Sequence, residues 1–421
     1  MNTQAHLARN SLWMLVSRAG SQLLAVLFTV LLARQLGSRG FGEYAFMVSV
    51  LTIGNALTTF GTDMLLIREI AGNGQLSGLG EALLIQLALS AAFIAAVIAG
   101  APYFPNQSPE AVLGLRITSL GLIPLAFFSV FTAALRGRQR MGAYMVLNLA
   151  LAAMQAGAAA LVMGLGGNVV TAAALLTAVQ AAAALLAGVL CRAHVPGFGQ
   201  ALQFSLQKAV RLGRACIPIA LLALAGMLYQ KLSVAMLSAI GGAVVTGWFA
   251  AALRTVEASK TVHLAVFTAL YPAMAQEKPE QAALGSRAPW DGTFGRSWWL
   301  LLGGAGAAAL ALNLLAGPLA QVLYGPAFAP AVPAIRILAW TLVPFTVNNF
   351  LSLARLAAHQ ESAILRVLLV GVASQVVLNA WWIPQSGLAG ACLAALLAES
   401  VMAAAYLIPG MISMSSIRRP V

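Results

Sequence analysis

Charged side chains inside long apolar runs are the residues most able to do chemistry in this chain. Each costs about 2.5–3.5 kcal/mol near the centre of a bilayer on insertion scales, so one that stays there has a reason to. Few such residues occur. Arg18 lies in the first apolar run, with Gln22 one helical turn further on the same face. Thr52, Asn55 and Thr59 follow at helical spacing in the second run. Lys231 lies deep in the seventh. Arg254, Glu257 and Lys260 recur at i, i+3 and i+6 in the eighth, and Glu399 lies in the twelfth. Bases outnumber acids, so the chemistry on offer is capture of an anion. Walls of low dielectric focus the field of buried cations. Arginine grips phosphate-type oxygens with paired donors, and lysine supplies a point charge. Glu257 and Glu399 are the carboxylates placed to take up a proton or a small cation.

Each of these residues also has a plainer reading. Arg254, Glu257 and Lys260 can neutralise one another along one helix face. Arg18, a turn or two inside its run, can snorkel to the inner surface. Arg116 and Arg336, near the outer ends of the fourth and tenth runs, can snorkel outward. Lys231 is too deep to do so, and a binding role is favoured for it.

The elements that must hold these residues are membrane helices. Of 421 residues, 61% are hydrophobic and 8% charged, and the mean hydropathy is +0.88. A soluble domain has about a quarter of its residues charged. The hydropathy predicts about twelve spans, at 12–33, 42–62, 80–101, 111–134, 142–164, 168–191, 212–239, 243–271, 297–317, 330–353, 363–382 and 387–409. The fold class expected is therefore all-α and polytopic. Net charge is +13, but the basic residues are scattered between spans. This argues for topology rather than nucleic-acid binding. Arg136, Arg138, Arg140, Arg192, Lys208, Arg211, Arg214, Arg355 and Arg366 all fall on one side. The opposite loops at 102–110, 165–167, 240–242, 318–329 and 383–386 carry no Lys or Arg. Both termini are thus expected in the cytoplasm, with Arg34 and Arg39 the exceptions to the rule. No cleavable signal peptide is expected. Cys191, Cys216 and Cys392 have no metal or disulfide spacing and read as small core residues.

The chain divides near its middle. Leu36-Gly37 precedes Gly42-Glu43-Tyr44-Ala45 after the first span, and Ile240-Gly241 precedes Gly247-Trp248-Phe249-Ala250 after the seventh. Six spans per half make a parallel repeat about an axis along the membrane normal. The expected organisation is an N-terminal six-helix lobe at 1–195, a cytoplasmic linker at 196–211 and a C-terminal lobe at 212–421. Pro124 and Pro344 occupy matching spans and are candidates for kinks at which the lobes bend.

The segment LLARQLGSRGFGEYA at 31–45, followed by FGTDMLLIREIA at 60–71, resembles the polysaccharide-exporter branch of the multidrug/oligosaccharidyl-lipid/polysaccharide (MOP) exporter superfamily. Wzx-type O-antigen flippases belong to that branch. The resemblance implies a MATE/MOP-like fold. It also implies a bacterial inner-membrane protein that moves a polyprenyl-diphosphate oligosaccharide between leaflets by alternating access. The internal repeat makes a working monomer sufficient, and no cofactor is expected. Under the resemblance, Arg18, Gln22, Asn55, Lys231, Arg254 and Lys260 would bind the substrate. Tyr229, Gln230, Asn348 and Asn349 would add sugar contacts. Glu257 and Glu399 would serve H+ or Na+ coupling. Many relatives carry an acid in the seventh span, where this chain has Gln230-Lys231, so an acid-based ion site there is in question.

Two further transport readings stay open: an ion-coupled drug antiporter of the same superfamily and a flippase for a lipid-linked peptidoglycan precursor. The antiporter would favour intramembrane acids over bases, and the precursor flippase two further helices. An enzyme is disfavoured. His6, His194, His263 and His359 are dispersed, no carboxylate pair stands out, and neither a phosphate loop nor metal-ligand spacing occurs.

Overall fold

The structure is a computed structural model. It describes residues 3–276, 292–357 and 360–407, with side chains described for residues 20–260, 298–356, 360 and 362–407. Among these residues every regular element is helical. The first six helices are α1 (Thr3–Thr59), α2 (Thr62–Asn73), α3 (Leu79–Gly100), α4 (Pro109–Leu120), α5 (Leu122–Gly137) and α6 (Met141–Gly164). Then come α7 (Val169–His194), α8 (Leu206–Gly241), α9 (Ala243–Gln276), α10 (Gly292–Tyr324), α11 (Val332–Ala339), α12 (Leu342–Ala357) and α13 (Glu361–Leu407).

Among the described residues, 8 helices are long and apolar enough to cross a membrane, or 9 if the bent α11–α12 pair is one span. That is fewer than the twelve spans expected. Helices α1 and α13 each hold two expected spans, run together across a glycine break at Gly37 and Gly387 respectively. In α9 the described side chains end at residue 260.

Contacts divide the chain into two compact units, Met1–Gly247 and Trp248–Val421. In the first, α1 packs on α6 and α8, α7 lies against α4, α5 and α6, and α3 meets α5 and α8. In the second, α10 and α13 flank α11 and α12. The contact division therefore assigns α8 to the first unit, whereas the expected division at 196–211 follows the repeat. Small residues carry much of the packing, with Ala133, Ala134, Ala187 and Cys191 buried among Leu66, Ile70 and Leu135. Tails of lipid are as apolar as leucine, so close backbone approach is what holds membrane helices together. All three cysteines are buried and free.

The backbone sharpens the repeat. Gly37 has φ 64 and ψ −175, and Gly242 has φ 81 and ψ 173. This conformation is essentially restricted to glycine. Gly242, not Gly241, is therefore the counterpart of Gly37, and both are followed at the same spacing by a glycine, Gly42 or Gly247. These second glycines pack reciprocally. A Cβ on Gly42 would overlap the carbonyl oxygen of Ala243, and one on Gly247 would overlap that of Ser38. Each glycine thus lies on the carbonyl just after the other's break.

Matched proline spans also correspond residue by residue. Leu115-Arg116-Ile117 precedes a break at Gly121 and then Leu122-Ile123-Pro124; Ile335-Arg336-Ile337 precedes a break at Thr341 and then Leu342-Val343-Pro344. Contrary to the kinks expected from sequence, the prolines do not lie inside a continuous helix. Each lies in the first turn of a new helix, α5 or α12, where its missing N–H costs little. The break falls ahead of the proline because its ring clashes with the carbonyl four residues back. The second break bends the chain by 42°.

Candidate functional site

The second unit contains the best-defined group of candidate residues. Helix α9 buries Ala251, Ala252, Thr255 and Val256 on one face. The Thr255 hydroxyl lies 3.2 Å from that of Tyr324 on α10. Helical periodicity then directs Arg254, Glu257 and Lys260 away from that face. Arg254 Nη1 lies 3.1 Å from Glu257 Oε2, and both side chains are well exposed, at 43% and 30%.

One turn on, Lys260 is largely enclosed. Its Nζ lies 3.6 Å from Glu399 Oε1 on α13 and 4.5 Å from the centroid of the Phe345 ring on α12. The other carboxylate oxygen, Glu399 Oε2, accepts a 2.6 Å hydrogen bond from Asn348 Nδ2, which also donates to the Glu399 carbonyl at 3.0 Å. Both oxygens of a buried carboxylate are thus engaged, one by a cation and one by an amide. Removing a carboxylate from water is expensive, and only a partner charge with further hydrogen bonds makes it tolerable. Asn348 Oδ1, by contrast, is buried with no partner among the described residues. Three helices meet here to hold an acid, a base and an open acceptor.

The structure therefore joins Lys260 with Glu399 and Arg254 with Glu257. Gln22, Asn55 and Lys231 belong to the other unit and are half-buried. Gln22 and Asn55 lie on either side of the Gly37 break in α1, and Lys231 on α8. The side chain of Arg18 lies outside the described residues.

Sequence reasoning missed three features. Phe345 beneath Lys260 has no sequence signal, since an aromatic in an apolar run is unremarkable. Asn348 drew notice as a sugar contact, not as the partner of Glu399. In the first unit, Gln86 is buried in α3 and donates to the Thr62 hydroxyl at 2.8 Å, beside Ser129 at 3.4 Å. A lone glutamine in an apolar span was the available signal.

The chain matches the family model described as polysaccharide biosynthesis protein over residues 7–278, and it belongs to that family. Comparison with curated proteins gives no match. Among solved structures, it is similar to a multidrug resistance MATE family transporter of the MOP superfamily in an inward-facing conformation. The TM-score is 0.74 at 15% identity, covering 94% of this chain and 96% of that one. It is also similar to the lipid II flippase MurJ, with TM-score 0.73 at 12% identity, covering 94% and 86%. A MOP superfamily transporter from Pyrococcus furiosus gives 0.62 at 15% identity, covering 97% and 96%. The chain thus has the all-α polytopic fold of MOP superfamily transporters.

Proposed function

We propose that the protein moves a lipid-linked oligosaccharide, carried on polyprenyl diphosphate, from the cytoplasmic to the outer leaflet of a bacterial inner membrane. The observation that carries this reading is the pair of ion pairs on and beside α9: ionised groups retained in apolar helices of a polysaccharide biosynthesis family member. The exposed Arg254 offers paired donors to a diphosphate, while Glu257 balances its charge until the anion arrives. Lys231 on α8 is the second proposed diphosphate contact, with Arg18 and Lys260 as further cations. Gln22 and Asn55 supply sugar contacts. Glu399, held between Lys260 and Asn348, is the proposed coupling carboxylate for H+ or Na+, with Glu257 in support. Movement is by alternating access of the two repeats in a functional monomer, with both termini cytoplasmic.

The test is flipping of fluorescent polyprenyl-diphosphate oligosaccharides in proteoliposomes. Lys231→Ala and Arg254→Ala should each lower the flipping rate at least tenfold while the purified proteins melt as the unmodified chain does. Unchanged flipping in both variants would remove those residues from the site. No flipping by the unmodified chain, across a panel of sugars, would overturn the function itself.

A further inference from the structure

A cavity of about 660 Å³ lies within the first unit. Its wall comes from three separated segments: the end of α2 with the loop into α3, a 3-10 turn at Gln200–Leu202, and the start of α8. The segment at 196–211 is not a loose connection here. Phe198 is buried against Phe131 at 5.1 Å between ring centroids, and the Ser205 amide donates to Glu81 Oε1 at 3.2 Å. Glu81, itself 6% exposed, thereby pins the entry to α8.

The composition of the wall decides what it suits. Glu69 and Glu81 face Lys208 and Arg211, so the acids and bases balance. Amides of Gln75, Gln200 and Gln203 supply donors and acceptors side by side. Leu65, Leu76 and Leu212 give an apolar floor. A phosphate would call for a surplus of cations, and an apolar tail for the removal of the amides. A pyranose matches both features, with hydroxyls for the mixed rim and C–H faces for the floor. The volume falls in the range of small-molecule sites, about 300–1,000 Å³. The loop into α3 also approaches Arg138, with Gly74 near Arg138 Nη1. This is the face on which the basic loops predict the cytoplasm.

We infer that this pocket is a saccharide subsite at the cytoplasmic face, which reads the sugars of the lipid-linked substrate as it is loaded. The inference rests on the proposed function, and its test separates the two. The probes are an oligosaccharide lipid that the unmodified protein flips and the same polyprenyl diphosphate without sugar, each titrated into purified full-length protein in detergent. The unmodified chain should bind the glycosylated lipid about tenfold more tightly than the bare one. Gln200→Ala combined with Gln203→Ala, both on the exposed rim, should cut that preference to about twofold and leave bare-lipid affinity unchanged. The tenfold preference corresponds to about 1.4 kcal/mol, a size that loss of a few neutral hydrogen bonds can remove. A preference that survives the double substitution overturns the inference. So does an equal loss for both lipids, which would mark a phosphate subsite. If no glycosylated lipid is flipped at all, the proposed function fails instead. Should the double variant melt early, Gln75→Ala in the same rim supplies the comparison.

Discussion

Lys260 and Arg254 show how the same charge type serves differently six residues apart. Arg254 and Glu257 are exposed enough for solvent to screen them, and exposed pairs contribute about 0–1 kcal/mol. Arg254→Ala should therefore leave the melting temperature nearly unchanged, so any loss of flipping in it reports on transport. Lys260 and Glu399 are enclosed, with side chains 17% and 10% exposed. Lys260→Met strands the carboxylate beside Asn348 alone and should destabilise the protein by about 3–5 kcal/mol. Adding Glu399→Gln to that variant should restore much of the loss, because a neutral amide no longer needs the cation. Unfolding in mixed detergent measures both steps. A single substitution as harmless as the double would show that the pair is not closed to solvent.

The crossing of the two repeats belongs to the scale of elements. Gly42 and Gly247 lie directly on opposing backbone carbonyls, and a backbone cannot yield as a flexible side chain can. Gly42→Ala and Gly247→Ala should each cost about 1–3 kcal/mol, the usual range for overpacking. Gly37→Ala and Gly242→Ala should cost a similar amount through strained φ and ψ rather than contact. Gly157 in α6 has open space around its Cβ position, so Gly157→Ala is the control and should leave stability level or slightly raised. Thermal melting of the five proteins in one detergent reads the series. Equal melting throughout would mean that the two connections do not touch in solution. The repeat was only half legible from sequence. The Leu-Gly and Ile-Gly dipeptides align Gly37 with Gly241, and only the backbone conformation shows that Gly242 is the equivalent residue.

At the scale of the whole molecule, the distribution of basic loops predicts orientation. Tyr103 is 86% exposed at the end of α3, and Arg138 is exposed between α5 and α6. Tyr103→Cys in intact cells should react with a membrane-impermeant maleimide, and Arg138→Cys should react only after permeabilisation. The three native cysteines are buried, so background labelling is low. The reverse pattern would invert the topology and move the proposed saccharide pocket to the wrong side for loading.

Whatever depends on one helix at a time was determined by the sequence alone. Hydropathy and period marked the spans, and among the described residues each is helical, with a break inside those at 42–62, 111–134 and 330–353, because burial of apolar surface and backbone hydrogen bonding act locally along the chain. The i, i+3 spacing likewise predicted that Arg254 and Glu257 share a face, since 3.6 residues per turn allow nothing else. Partnerships between helices were beyond its reach. That Glu399 would meet Lys260 and Asn348, that Phe345 would lie beneath the ammonium, and that Gly42 would rest on Ala243 all depend on how far each helix rotates and how closely two backbones approach. Those quantities are set by packing among segments distant in the chain, and only the tertiary structure decides them.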